Sequence, residues 1–125
     1  MAVTHPTTIR NGIADYVVDQ VDSGGAGSLE FQTAGDVEVA TIALQNPAFG
    51  DAAAGVATLQ GVPLEDSSAT GNASNVTKFV IKSGGAADVI YGAVGTSGSD
   101  INLNKVLIDA GDIVRITSLT YTAPN

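Results

Sequence analysis

Asp88-Val-Ile-Tyr-Gly-Ala-Val-Gly-Thr-Ser-Gly-Ser-Asp-Ile-Asn-Leu-Asn104, which runs through Asp109-Ala-Gly-Asp112 into Ile113-Val-Arg-Ile-Thr-Ser-Leu-Thr-Tyr-Thr122, reads as strands joined by tight turns. β-Branched and aromatic residues fill the runs, and Gly, Ser and Asp separate them. The spacing predicts a strand over residues 89–95, a turn over 96–99, and a short strand over 101–103 that extends towards Ile108. A last strand follows over 113–122. Immediately upstream, Val76-Thr-Lys-Phe-Val-Ile-Lys-Ser83 and the Gly84-Gly-Ala-Ala-Asp88 turn complete a hairpin with residues 89–95.

The same alternation appears further back. Ser28-Leu-Glu-Phe-Gln-Thr33, the Ala34-Gly-Asp36 turn and Val37-Glu-Val-Ala-Thr-Ile-Ala-Leu44 predict a first antiparallel pair, with Leu29 and Phe31 on one face. Asn46-Pro47 ends it, residues 47–54 form a loop holding Phe49, and Gly55-Val-Ala-Thr-Leu59 is a further short strand. The polar run Glu65-Asp-Ser-Ser-Ala-Thr-Gly-Asn-Ala-Ser74 is expected to be a mobile surface loop. Only residues 8–22 show helical spacing, through Ile9, Ile13, Tyr16, Val17 and Val21. Thr7 or Thr8 is placed to cap the start and Gly24-Gly25 to stop it. Asp22 in its last turn opposes the helix dipole.

Short strands about 8 to 12 residues apart predict an all-β fold, a sandwich or a barrel, with one short N-terminal helix. Residues 1–7 read as an extended arm, because Pro6 lacks an amide donor and biases His5 away from helix. Residues 8–125 read as one domain. At 125 residues with 44% hydrophobic content the chain can bury a single core. That core is thin, since aromatics are 5%, Trp is absent, and Ala and Val dominate; a partner subunit is expected to complete it.

Composition excludes several functions. The net charge of −8 leaves no basic patch for nucleic-acid phosphates. Nine of the 13 acidic residues precede Lys78, against Arg10 alone, so the N-terminal half is the acidic one. Without Cys there is no disulfide, thiolate metal site or thiol nucleophile. No apolar run approaches a membrane span, and the opening residues lack a secretory pattern, so neither export by a standard signal nor a membrane partner is expected.

Motifs with chemical potential each have a plainer reading. Asp100, Asn102 and Asn104 match the first ligands of a calcium loop, but Lys105 and Gly111 stand where its Gly and Glu are needed, and Ile101 and Leu103 fit a half-buried strand. The glycines at 24, 25 and 27 and at 92, 95 and 98 lack the phosphate-loop pattern. Gly92 within a strand marks a bulge or a close backbone approach. His5 is the sole histidine and lies on the arm, which disfavours a Ser-His-Asp triad. Glu65-Asp66 and Asp109 with Asp112 read as loop and turn residues before they read as acid–base pairs. The three tyrosines and three phenylalanines are dispersed and read mostly as core; Phe49 reads first as core packing and is also the one interface-anchor candidate.

Arg10-Asn-Gly-Ile-Ala-Asp-Tyr-Val-Val-Asp19 before a glycine break, Asn46-Pro-Ala-Phe-Gly50 with Gly55-Val-Ala-Thr58, and Gly95-Thr-Ser-Gly-Ser-Asp-Ile-Asn-Leu-Asn104 with Ile116-Thr-Ser-Leu-Thr-Tyr-Thr-Ala-Pro124 occur in this order. In that order and spacing the chain resembles small virion proteins of tailed bacteriophages over nearly its whole length. The resemblance implies a jelly-roll-like antiparallel β-sandwich and a capsid cement or decoration protein on the outer surface of the head. Its implied partners are the major capsid protein and further copies of itself, as a dimer or trimer. It implies no cofactor, no metal, no nucleic-acid partner and no catalytic residue. Val3, His5, Pro6 and Phe49 are the expected contact residues. A tail or fibre component is the alternative within the virion, and a carbohydrate-binding β-sandwich is the alternative of another class.

Overall fold

Proline decides where the first element starts. The computed structural model describes residues 3–124; in it Thr7–Asp19 form α1, continued by a 3-10 turn over Gln20–Asp22. The helix begins one residue before the expected position, and neither threonine caps it. Pro6 holds the N-cap at φ −64° and ψ 161°, and its carbonyl accepts the amides of Ile9 and Arg10, both at 3.0 Å. A residue fixed at that φ and lacking an N–H sits at this boundary without losing a bond. Ala14, Val18 and Val21 are buried.

Asp22, unfavourable against the helix dipole, has a local reason. Its Oδ1 accepts the Ala48 amide at 3.0 Å, while Asp15 Oδ1 takes that of Ala52 at 2.8 Å and Asn11 Oδ1 that of Gly55 at 2.7 Å. One face of the helix therefore holds the 46–55 loop by three rungs, the loop descending as the helix ascends. Asp15→Ala leaves the half-buried Ala52 amide without its charged acceptor and is expected to cost about 1–2 kcal/mol. Chemical denaturation checks this; Asp19→Ala, for which no such bond exists among the described residues, is the comparison.

Among the described residues nine strands follow: β1 Ser28–Thr33, β2 Glu38–Ala43, β3 Val56–Thr58, β4 Leu64–Asp66, β5 Val76–Lys82, β6 Asp88–Gly95, β7 Ile101–Asn102, β8 Val114–Ile116 and β9 Thr120–Thr122. They form a five-stranded sheet in the order β2-β1-β5-β6-β7 and two separate ladders, β3-β9 and β4-β8. The protein is thus mostly strand with one short α-helix. Both expected hairpins, β1-β2 and β5-β6, are antiparallel.

Three sequence expectations need correction. The strand from Ile101 stops at Asn102 and pairs with β6 in parallel, so the sheet is mixed and not wholly antiparallel. Beyond it, the carbonyls of Val106 and Ile108 accept the amides of Val76 and Asn72 at 2.8 and 2.9 Å, which draws that segment off the β6 edge towards the start of the strand at Val76. The last run splits into β8 and β9 because its halves pair with different strands, β4 and β3. The 65–74 loop is tied at several points: Glu65 and Asp66 belong to β4, Ala69 is buried, and the Gly71 amide donates to the Val39 carbonyl at 2.9 Å.

The buried residues form one contiguous cluster drawn from the helix, the sheet and both ladders. Along β1, Leu29 and Phe31 point inward while Ser28, Glu30 and Gln32 are half-buried on the other face. Cross-strand partners on the inner face are Ile42 and Ala40 on one side, Ile81 and Phe79 on the other. Phe79 in turn faces Gly92, whose missing side chain is replaced by the Phe79 ring. Gly92 is therefore the site of a close approach, made by an aromatic ring and not by backbone. The bulge in this pair lies elsewhere, between Ile81 and Lys82.

Candidate functional site: an open strand edge lined by tyrosines

Strand β6 is paired with β5 along its length, but on its other side β7 meets only Val94 and Gly95. The Ala93 amide points to that open side, where it donates to Asp100 Oδ2 at 2.8 Å. Main-chain groups alternate with a period of two along a strand, so the N–H and C=O of Tyr91 face the same way. Among the described residues no loop or side chain caps them. Asp100 thus blocks one end of the edge, in the way that charged side chains limit edge pairing, and leaves Tyr91 open.

Two clefts flank the same strand. One, of about 470 Å³, opens between β6 and β9 and is walled by Phe49, Ile90, Tyr91, Asp100, Leu119 and Tyr121. The other, of about 320 Å³, lies between α1 and the start of β6, with Tyr16, Val17, Gln20 and Val89 in its wall. All three tyrosines of the chain line these clefts. Tyr16 is 69% and Tyr91 73% exposed. The sequence reading took the aromatics as dispersed and mostly core; residues 16, 91 and 121 lie on three elements, and only the packing of α1 and β9 beside β6 gathers them.

The edge is acidic. Tyr91 donates its hydroxyl to Asp88 Oδ2 at 2.7 Å, and that hydrogen bond, with burial and the carboxylate charge adding to it, holds the phenol above its ordinary pKa. Lys78, Lys82, Lys105 and Arg115 pair instead with Asp36, Glu30, Asp112 and Glu65. Among the described residues no cation is paired with Asp88 or Asp100.

The expected contact residues are placed as follows. Val3, His5 and Pro6 are exposed, with Val3 at 85%; Met1 and Ala2 of the arm lie outside the described residues. Phe49 is 5% exposed and belongs to the core, the first of its two readings, and does not stand free as an anchor. Its neighbours are clamped, Gly50 N–H to the Thr58 carbonyl at 2.9 Å and Gln60 N–H to the Ala48 carbonyl at 2.8 Å, which turns the ring inward. It reaches the surface only as a wall of the larger cleft.

Asp100 to Asn104 forms the half-buried segment expected of it, with Ile101 and Leu103 buried and Asn102 and Asn104 exposed. Asn102 is bonded to Ser99 through both amide atoms. Asp112 accepts the Asp109 amide at 2.9 Å and pairs with Lys105 at 2.9 Å. The hydrogen bond from Lys105 and then the Asp109 amide lower the Asp112 pKa; the same bond raises that of Lys105. Stability from a lowered carboxylate is present above its ordinary pKa and is lost as pH falls through the lowered value; stability from a raised amine is lost only as pH rises through the raised one. The difference in denaturation midpoint between wild type and Lys105→Ala is therefore expected to be present at pH 7 and to shrink on acidification below the ordinary carboxylate range.

Compared with protein-family models, curated proteins and solved structures, the chain matches none.

Proposed function

We propose that the protein is a structural component of a tailed-bacteriophage virion, a cement or decoration protein that binds the capsid lattice as an oligomer and stabilises the head. The single observation that supports it best is an open, tyrosine-lined strand edge in a chain whose arm has no backbone partner among the described residues. Tyr and other aromatic residues at an exposed edge suit a binding surface. Resistance to internal pressure needs many modest contacts repeated over the lattice, and no chemistry at a single site. We read the β3-β9 and β4-β8 ladders as the shortened second layer of a jelly-roll-like sandwich, closing the core from the side opposite the five-stranded sheet.

In this reading the arm orders on a neighbouring subunit, adding main-chain hydrogen bonds at a sheet edge. Removing residues 1–6, which precede α1, is expected to lower occupancy on purified heads at least about tenfold, equivalent to roughly 1.4 kcal/mol per site. Unchanged occupancy would rule the arm out. Electron microscopy of whole virions tests the location: copies on the tail would replace the head assignment by a tail or fibre role.

A carbohydrate-binding module is favoured by one specific observation, the exposed Tyr16 and Tyr91 rings beside Tyr121 and Asp100. Tyrosine faces carry the apolar side of a sugar ring, and Asp100 and the threonines of β9 offer acceptors for its hydroxyls. A glycan array without hits removes this reading.

A further inference from the structure

We propose that the β6 edge at Tyr91 receives the arm of a second copy of this chain, with Thr4 directly opposite Tyr91 in antiparallel register. The inference rests on the arm-docking part of the reading above and names both the partner and the edge.

The open main-chain groups match in number and position. On β6 the free groups are the Tyr91 N–H and C=O, because Asp100 occupies the Ala93 N–H, the parallel pairing of Val94 with Ile101 engages the Ala93 C=O and the Gly95 carbonyl accepts the Leu103 amide at 2.8 Å. On the arm, the groups of Val3, Thr4 and His5 have no partner among the described residues, and Pro6 has no amide to give. With Thr4 opposite Tyr91, the two residues exchange a pair of hydrogen bonds. Pro6 then falls opposite Val89, where pairing stops for want of an N–H. Ala2 falls opposite Ala93, where Asp100 stops it. A three-residue strand fits between the two stops.

Side chains agree with the same register. Residues directly opposite share a face, so Val3 lies over Gly92 and His5 over Ile90, on the side where Ile90 walls the larger cleft. Val3 is the most exposed large apolar side chain among the described residues, and this placement covers it. Charge selects the occupant as well. Asp88 and Asp100 repel an acidic segment, and two copies of β6 pairing with each other would bring four carboxylates together. Residues 3–8 carry no carboxylate in a chain that has 13.

Because the chain has no Cys, single introduced cysteines report the contact in the otherwise intact protein. Mixing Thr4→Cys with Tyr91→Cys copies under a short thiol–thiol cross-linker is expected to give a covalent dimer. Thr4→Cys mixed with Val37→Cys, an exposed position beside the opposite edge strand β2, is expected to give none. Thr4→Pro, which removes the arm's central amide outside any folded element, is expected to weaken self-association at least about tenfold in sedimentation. The inference is overturned by a yield no greater than the Val37 control, by equal dimer from Tyr91→Cys alone, by a Thr4→Cys/Tyr91→Cys double variant that links only within a monomer, or by Thr4→Pro associating normally. If arm removal still lowers head occupancy in any of those cases, the proposed function stands and only the self-docking edge is wrong.

Discussion

Phe31→Ala is expected to lower the free energy of unfolding by about 3–5 kcal/mol. Phe31 is fully buried at the centre of β1, itself the second strand of the five-stranded sheet, between Ala40 on β2 and Phe79 on β5. Removing its ring leaves a void whose nearest cross-strand neighbour on one side is only a methyl group, so little is available to fill it. The Phe79 ring is held over Gly92 and cannot swing in without uncovering that glycine. For a domain of ordinary stability, about 5–15 kcal/mol, the loss is a large fraction of the total. Urea denaturation gives the number, and a change under about 1 kcal/mol would contradict the placement of Phe31. Tyr91→Ala, at the exposed edge, is expected to stay within about 0.5 kcal/mol. Folding and binding are thereby separable by mutation.

Gly84→Ala is expected to cost about 3 kcal/mol, at the upper end for overpacking, whereas Gly85→Ala one residue on is expected to be neutral or slightly stabilising. A β-carbon at position 84 would lie 2.5–2.6 Å from the N, C and O atoms of Gly25, all of them backbone. At position 85 the nearest atom is Ser83 Oγ at 3.8 Å. The reason for the difference is a crossing of two turns. The end of the 3-10 turn rests on the β5-β6 turn through the Gly84 and Gly85 amides, which donate to the carbonyls of Val21 and Ser23, both at 3.2 Å. Neither backbone can yield without breaking those bonds. Thermal unfolding of the two variants side by side measures the contrast, and equal midpoints would refute it.

Those two glycine sites show where a linear reading of this chain stops. Ser23-Gly-Gly-Ala-Gly-Ser28 and Gly84-Gly85 each look like ordinary turn formers, and nothing in either run says that they touch. The hairpins were legible because both strands and their turn lie within about 20 residues, where alternation and turn chemistry act locally. The helix was legible for the same reason, and its start moved by one residue because Pro6 takes the boundary. By contrast, residues 113–122 read as one strand because every residue suits a strand; the division into β8 and β9 is imposed by β4 and β3, far away in sequence. The candidate site was hidden in the same manner. Tyr91 is exposed because its strand is an edge, which depends on β7 starting only at Ile101, opposite Val94, and Tyr16 and Tyr121 join it only through tertiary packing. Phe49 stayed open between anchor and core because a loop position after proline suggests exposure, while the bonds that turn it inward come from β3 and its flanks.

The rungs from Asn11, Asp15 and Asp22 to the 46–55 loop also define a route for mechanical load. Tension applied to the arm enters α1, which carries these three anchors and also the Arg10 guanidinium that donates to the Ala123 carbonyl at 3.2 Å. Beyond them the load enters the loop that leads into β3, and through the β3-β9 ladder it reaches the end of the chain, bypassing β1, β2 and β5. A subunit tethered by its arm would transmit lattice strain through its helix and smaller ladder while its main sheet stays slack. Pulling single molecules from residue 3 against residue 124 should accordingly rupture at lower force in Asp15→Ala than in wild type, and equal forces would place the load elsewhere.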